Sequence, residues 1–168
     1  MFRWRADYPG CVEFDLVSLQ PDTQVEIVIR VAIAAFLGGL VGFEREFSDQ
    51  PAGLRTHLLV SLGAALFSMA GAFAGTDPTR IAAQVAAGIG FIGAGVIFQQ
   101  GLNVRGLTTA AALWVTAAIG TAVAFGLWIA ATGTTIITVV ALYGLKRFEL
   151  WVFGQRRAEG DDSGDEGG

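Results

Sequence analysis

The chain has 168 residues, of which 53% are hydrophobic and 15% charged, with a net charge of −4. An ordinary soluble domain carries roughly a quarter charged residues, so the composition argues for lipid as the solvent. The lack of a basic surplus argues against a nucleic-acid binder. A single cysteine, Cys11, leaves no internal disulfide to form. No Asp or Glu occurs between Asp77 and Glu149, and Gly106 to Leu145 carries no charge at all, enough chain for two crossings of a bilayer at roughly 20 residues each.

Residues 1–22 mix Phe2, Trp4, Tyr8, Phe14 and Leu16 with Arg and Asp. This segment is too short and too charged for a span and reads as an extracytoplasmic, interfacial stretch. It holds no run of 7 to 15 apolar residues of the kind a cleaved signal peptide needs. The expected membrane domain covers 23–147. Pro21 and Asp22 read as breakers, and Thr23 with Glu26 matches a capping box, so the first helix is expected to begin near Thr23 and run through Val25–Phe43. Glu26 and Arg30 lie one turn apart in the orientation that favours a helical ion pair. A second helix is expected over Leu58–Ala74, with Leu54–His57 as its first turn and Gly75, Asp77 and Pro78 ending it. A third covers Ile81–Phe98, followed by a polar turn at Gln99, Gln100, Gly101 and Asn103. One helix over all of Gly106–Leu145 would have to tilt steeply. Two helices are therefore expected, joined around Phe125, Gly126 and Leu127 beside the interfacial Trp128, with Gly133 as the alternative turn.

The expected architecture is an all-α, polytopic transmembrane bundle of about five spans. Counting basic residues orients it. Arg45, Arg55, Arg105, Lys146, Arg147, Arg156 and Arg157 fall on one side, against Arg3, Arg5, Arg30 and Arg80 on the other. The richer side is cytoplasmic, which puts the N-terminus outside and the C-terminus inside. The acidic tail, 148–168, is expected to be cytoplasmic and largely without structure, ending in GDDSGDEGG.

Within GIGFIGAG, Gly88, Gly90 and Gly93 satisfy the spacing G-x-G-x-x-G. A dinucleotide fingerprint also needs a preceding strand and an acid about 20 residues on; here alanines precede and no acid follows for over 50 residues. Ala83, Ala86, Ala87, Gly90, Gly93 and Ala94 instead recur at helical spacings, forming a small-residue face of the kind that lets membrane helices approach closely. The alternative is that the glycines soften the helix beside a transport site.

The chemical signal lies at the membrane borders. EREFSDQPAGLRTH places Glu44, Arg45, Glu46, Asp49, Arg55, Thr56 and His57 together. Grouped carboxylates suit a hard cation such as magnesium. The competing reading is a solvated loop with Glu44 and Glu46 paired to Arg55 or Arg105. The lone His57 reads first as a hydrogen-bonded border residue and second as a ligand. Thr108 and Thr109 beside Arg105 read as caps of the fourth helix or as an anion contact at its N-terminus. Gln84 is the polar group inside the third helix. No catalytic signature occurs, so no enzymatic activity is expected.

GFERE at Gly42–Glu46, AGLRTH at Ala52–His57, GIGFIGAGVIF at Gly88–Phe98 and GLTTAAALWVTAAIG at Gly106–Gly120 together resemble the MgtC/SapB family of bacterial membrane proteins, over about residues 24–145. The resemblance implies an inner-membrane protein of roughly five spans, linked in some members to adaptation to low magnesium and survival inside host cells. It implies regulation through membrane partners, including the ATP synthase, more than direct transport; the alternative is a transporter or channel for magnesium or another small cation, with Glu44, Glu46 and Gln84 as its candidate residues. No cofactor is expected, magnesium being the one candidate. A homo-oligomer is expected from the small-residue face. Better-known members continue into a soluble α/β domain, whereas only the acidic tail follows Arg157 here, so the shorter members are the nearer match.

Overall fold

The computed structural model describes residues 21–100 and 103–161, with side-chain surroundings described for 21–97 and 104–144. The chain forms α1 (Pro21–Phe47), α2 (Leu54–Phe73), α3 (Pro78–Gly95), a short hairpin of β1 (Phe98–Gln100) and β2 (Asn103–Arg105), then α4 (Leu107–Ala124) and α5 (Trp128–Asp161). The all-α architecture and the order of its helices are those expected. The interfacial segment with Cys11, and the last residues of the tail, lie outside the described residues.

Several boundaries differ for local reasons. Pro21 and Asp22 do not break the chain but open α1. Proline's fixed φ and missing N–H are harmless in a first turn, and an acid there suits the helix dipole. Thr23 is therefore inside the helix and not its cap. At α3, Asp77 is the N-cap and its Oδ1 accepts from the Thr79 amide at 2.8 Å, with Pro78 next in the chain. These bonds, with a second from the Thr79 hydroxyl, hold the Asp77 carboxyl below its usual pKa. α3 ends at Gly95 and not at Phe98, and the polar turn is an antiparallel hairpin pairing Phe98 with Arg105 and Gln100 with Asn103. The α4–α5 turn sits where expected, with Gly126 at φ +75, a conformation that disfavours side chains. Gly133 lies inside α5. The helical backbone continues to Asp161, so it takes in residues 148–161 of the 148–168 tail that is expected from composition to be largely without structure.

Among the described residues, α1, α2 and α4 are long and apolar enough to cross a membrane, while the apolar stretch Trp128–Gly144 of α5 is shorter. Large side chains such as Val28, Phe36, Phe43, Leu59, Phe67, Phe91, Ile129 and Ile137 face outward. In water so much exposed apolar surface would mark an interaction or aggregation site; against lipid it is the ordinary exterior.

The interior is built from small residues at close range. Leu37 and Val41 of α1, Met69 of α2, and Ile119 and Val123 of α4 form one buried cluster; Ile89 of α3 joins Ala64, Leu113 and Ala117 in a second. A Cβ on Gly38 would collide with the Ser61 side chain and lie 2.8 Å from the His57 carbonyl oxygen; one on Gly42 would lie 2.7 Å from Leu54 Cα. A Cβ on Gly120 of α4 would overlap the Ser61 carbonyl oxygen. Ser61 is thus gripped from both sides, and its hydroxyl donates to the Ala34 carbonyl at 2.7 Å. Lipid tails are as apolar as leucine, so this closeness, and not hydrophobic drive, is what holds the three helices together. Other inward hydroxyls return to their own helix: Ser68 to Ala64, Thr116 to Ala112 and Thr135 to Ala131.

Candidate functional site

At the corner between α1 and α2, the last turns of one helix meet the first turn of the next, and three ionisable side chains are buried together. Glu44, Arg45 and His57 are 7%, 4% and 0% exposed. Glu44 and Arg45 are inside because they continue the packed stripe of α1, following Ala34, Leu37, Gly38, Val41 and Gly42 at intervals of three and four. His57 faces them because it shares the α2 stripe with Ser61, Ala64, Ala65 and Ser68. Gly42, with no Cβ, lets the His57 Cβ come within 2.9 Å of where its own would stand.

The hydrogen bonding of this trio is incomplete. Glu44 Oε1 accepts from the Ser48 hydroxyl at 2.8 Å. Its Oε2 lies 3.5 Å from Arg45 Nε, an ion-pair distance. His57 Nδ1 lies 3.1 Å from the Gly53 carbonyl oxygen, which can only accept, so Nδ1 carries the hydrogen and the neutral ring presents Nε2 as an acceptor. Glu44 Oε2, Arg45 Nε and His57 Nε2 have no hydrogen-bond partner, and among the described residues they are the buried side-chain polar atoms in that condition. A buried polar atom without a hydrogen bond costs about 1–3 kcal/mol, which the ion pair offsets in part for Glu44 and Arg45 but not for His57 Nε2; the concentration of such atoms at one corner marks it off from the rest of the described interior.

Two acceptors and one donor complement a water or a proton-bearing group. They do not fit a divalent cation. Arg45 cancels the charge of Glu44, and magnesium takes oxygen ligands from carboxylates that here lie apart. Glu46 points away from the trio, and its Oε2 accepts from the Leu54 amide at 3.0 Å, satisfying one of the free N–H groups at the start of α2. A Cβ on Gly53 would overlap that oxygen, so the glycine makes room for it. Asp49 is exposed in the turn at φ 54. Among the described residues no three His, Cys, Asp or Glu side chains are grouped as metal ligands.

The other residues singled out by sequence are dispersed. Arg55, Arg105 and Thr108 are exposed, Thr56 is half-buried and Thr109 is buried. No ion pair joins Arg55 or Arg105 to Glu44 or Glu46 among the described residues; the pair that forms is between neighbours, Glu44 and Arg45. Gly106 at φ +90, and neither threonine, occupies the N-cap of α4. A Cβ there would overlap the Val96 carbonyl oxygen, so only glycine lets the hairpin fold back on the end of α3. Gln84 is exposed. Of the small-residue face on α3, Gly93 is buried, and a Cβ added to it would lie 3.5 Å from the Ala110 Cβ; Ala86 is half-buried, and Ala83, Ala87, Gly90 and Ala94 are exposed. The contact ridge of α3 runs instead through Ile81, Ile89 and Gly93. Sequence reading missed Ser48, whose helical spacing from Glu44 was the available signal, and the G-x-x-x-G of Gly38 and Gly42.

The model of the MgtC family matches residues 31–151, a span that contains the whole corner and the helices packed on it. Protein MgtC of Brucella abortus (strain 2308) is 49% identical over 119 residues, covering 70% of this chain and 50% of that protein. Protein MgtC of Salmonella typhimurium is 47% identical over 115 residues, covering 68% and 50%. The protein named "Putative magnesium transporter YhiD" of Escherichia coli K12 is 42% identical over 127 residues, covering 70% and 59%. The chain thus spans about half the length of the curated relatives it matches. No solved structure matches it. With the match running from the middle of α1 into α5 and taking in Glu44, Arg45 and His57, the chain belongs to the MgtC family.

Proposed function

We propose that this inner-membrane protein serves magnesium homeostasis by regulating a membrane partner, with the Glu44–Arg45–His57 corner as the element that changes state. The observation that carries the reading is the charge-compensated trio with three buried atoms that make no hydrogen bond, set where α1 meets α2. Such a trio responds to a proton or a single polar molecule. Because Gly42 and His57 are in contact, any rearrangement there shifts two membrane helices against each other. A homo-oligomer built on the exposed small face of α3, and a partner such as the ATP synthase, belong to the same reading. No catalysis is assigned to it.

A deletion strain is expected to grow poorly under magnesium limitation and to show altered ATP level or membrane potential. Wild-type protein should restore growth, while Glu44→Gln and His57→Gln should not, although both are inserted. Normal growth of the deletion strain, with unchanged potential and ATP, overturns the proposal.

The second reading, a conduit for magnesium or another small cation, is favoured by the name of one relative and by a carboxylate, Glu44, buried at the border of a span. Magnesium flux into liposomes carrying the purified protein, abolished by Glu44→Gln, would establish it; no flux in any lipid would remove it.

A further inference from the structure

The opposite end of the bundle holds a cavity of about 490 Å³, a size within the range of small-ligand pockets. Its walls come from the first turns of α1, the last turn of α2 and the α4–α5 turn, with Glu26, Arg30, Met69, Phe73, Phe125 and Trp128 among them. Glu26 and Glu44 are 18 residues apart on one helix, which at about 1.5 Å per residue is about 27 Å. That is close to the thickness of a bilayer's hydrocarbon core, roughly 30 Å. The two polar centres therefore stand at opposite membrane borders, and the cavity lies at the depth of lipid headgroups. Its exposed aromatics, Phe73 and Trp128, are of the kind that settles there.

The charged pair in the cavity is fixed and only partly used. Arg30 donates from Nε at 3.0 Å, and also from Nη2, to the same oxygen of Glu26, Oε1. Its Nη1 donates to the Ala124 carbonyl at 2.9 Å, and the guanidinium lies 5.3 Å from the centre of the Trp128 ring. A guanidinium has five N–H groups, so among the described residues one on Nη1 and one on Nη2 are left over. Glu26 Oε2 accepts no bond among the described residues. The backbone of Gly126 passes close by, where a Cβ would sit 3.4 Å from Nη1. The pair thus offers an anion-seeking end and a cation-seeking end side by side. A simple anion meets the repulsion of Glu26, and a simple cation that of Arg30.

We propose that this cavity binds a zwitterionic phosphoethanolamine headgroup, its phosphate on the free N–H groups of Arg30 and its primary ammonium donating to Glu26 Oε2, as in phosphatidylethanolamine. Met69 and Ile27 supply apolar wall beside the pair for the glycerol end of the lipid. A primary ammonium donates hydrogen bonds that a trimethylammonium cannot, so the site selects against phosphatidylcholine. Phosphatidylglycerol brings hydroxyls and a negative charge but no cation to pair with Glu26.

The full chain, purified in detergent and supplied with equal amounts of the three lipids, is studied by native mass spectrometry. Phosphatidylethanolamine is expected to be retained about tenfold over the other two, matching the loss of one charge-assisted hydrogen bond. Glu26→Gln, which removes the charge and keeps the shape, should abolish the preference. Ala72→Phe, which fills the cavity without touching the pair, should abolish retention, and the thermal midpoint of each variant shows that it is folded. Displacement by soluble phosphoethanolamine supports recognition of the headgroup alone; retention that it cannot displace supports recognition of the intact lipid. Equal retention of the three lipids, or an unchanged preference in folded Glu26→Gln, overturns the proposal.

Discussion

Gly38, Gly39 and Gly42 on α1 and Gly88, Gly90, Gly93 and Gly95 on α3 are two stretches of similar composition with opposite surroundings. At Gly38 and Gly42 the neighbouring helix is so near that a Cβ would strike Ser61, His57 or Leu54; at Gly88, Gly90 and Gly95 it would meet nothing within 4 Å. The difference lies in the partner. α2 presents Ser61 and the backbone of its first turns to α1, whereas α3 reaches α4 through Ile89 and Gly93 and leaves its remaining glycines open. A glycine's work in a membrane helix is set by what stands opposite it and not by the run in which it occurs.

The largest effect that would sharpen this contrast is expected where α1 carries charge into its packed face. Arg45→Met leaves Glu44 buried and uncompensated, and loss of one member of a buried pair costs about 3–5 kcal/mol. It should lower the thermal midpoint in detergent far more than the double variant with Glu44→Gln does; equal losses would mean the pair is not coupled. Next come Gly120→Ala and Gly42→Ala, where the added methyl meets backbone, at a cost of about 1–3 kcal/mol each. Gly90→Ala should behave oppositely, raising stability by about 0.4–1 kcal/mol, because it restricts the unfolded chain and meets open space. A destabilised Gly90→Ala would break the comparison and show that the open face is covered in the membrane.

The smallest effect concerns the start of α3. The pKa of Asp77 is lowered by its bonds to Thr79, so its stabilisation is present above the ordinary carboxylate range and lost as pH falls through the lowered value. Asp77→Asn should lack that acid-dependent loss, as followed by thermal midpoint between neutral and acidic pH.

Much of the fold is legible because breakers and charge gaps punctuate an apolar chain. Gly75, Asp77 and Pro78 end α2, and Phe125–Leu127 divides an uncharged run too long for one helix. The corner is half legible. EREFSDQ reads as a solvated loop when judged by charge density, yet the helical period through Ala34, Leu37 and Val41 reaches Glu44, and the period through Ser61 reaches His57. Periodicity, and not charge density, decides which of these side chains is buried. The role of Glu46 leaves no signal, since its contact with the Leu54 amide spans a turn whose path no local pattern dictates. On α3, small residues at helical spacing suggest the contact face, but the residues that are buried are Ile81, Ile89 and Gly93.

The grip on Ser61 by Gly38 and Gly120 has a mechanical consequence. Where backbones touch, a helix cannot slide freely but can rock, and Gly38 becomes the fulcrum of α1. Glu44 lies six residues to one side and Glu26 twelve to the other, arms of about 9 and 18 Å at 1.5 Å per residue. A rigid tilt about that point moves the Arg30 end in the reverse direction to the Glu44 end, and the Glu26 tip about twice as far. A rigid helix pivoting there would be an unequal lever, magnifying at one border a small displacement made at the other.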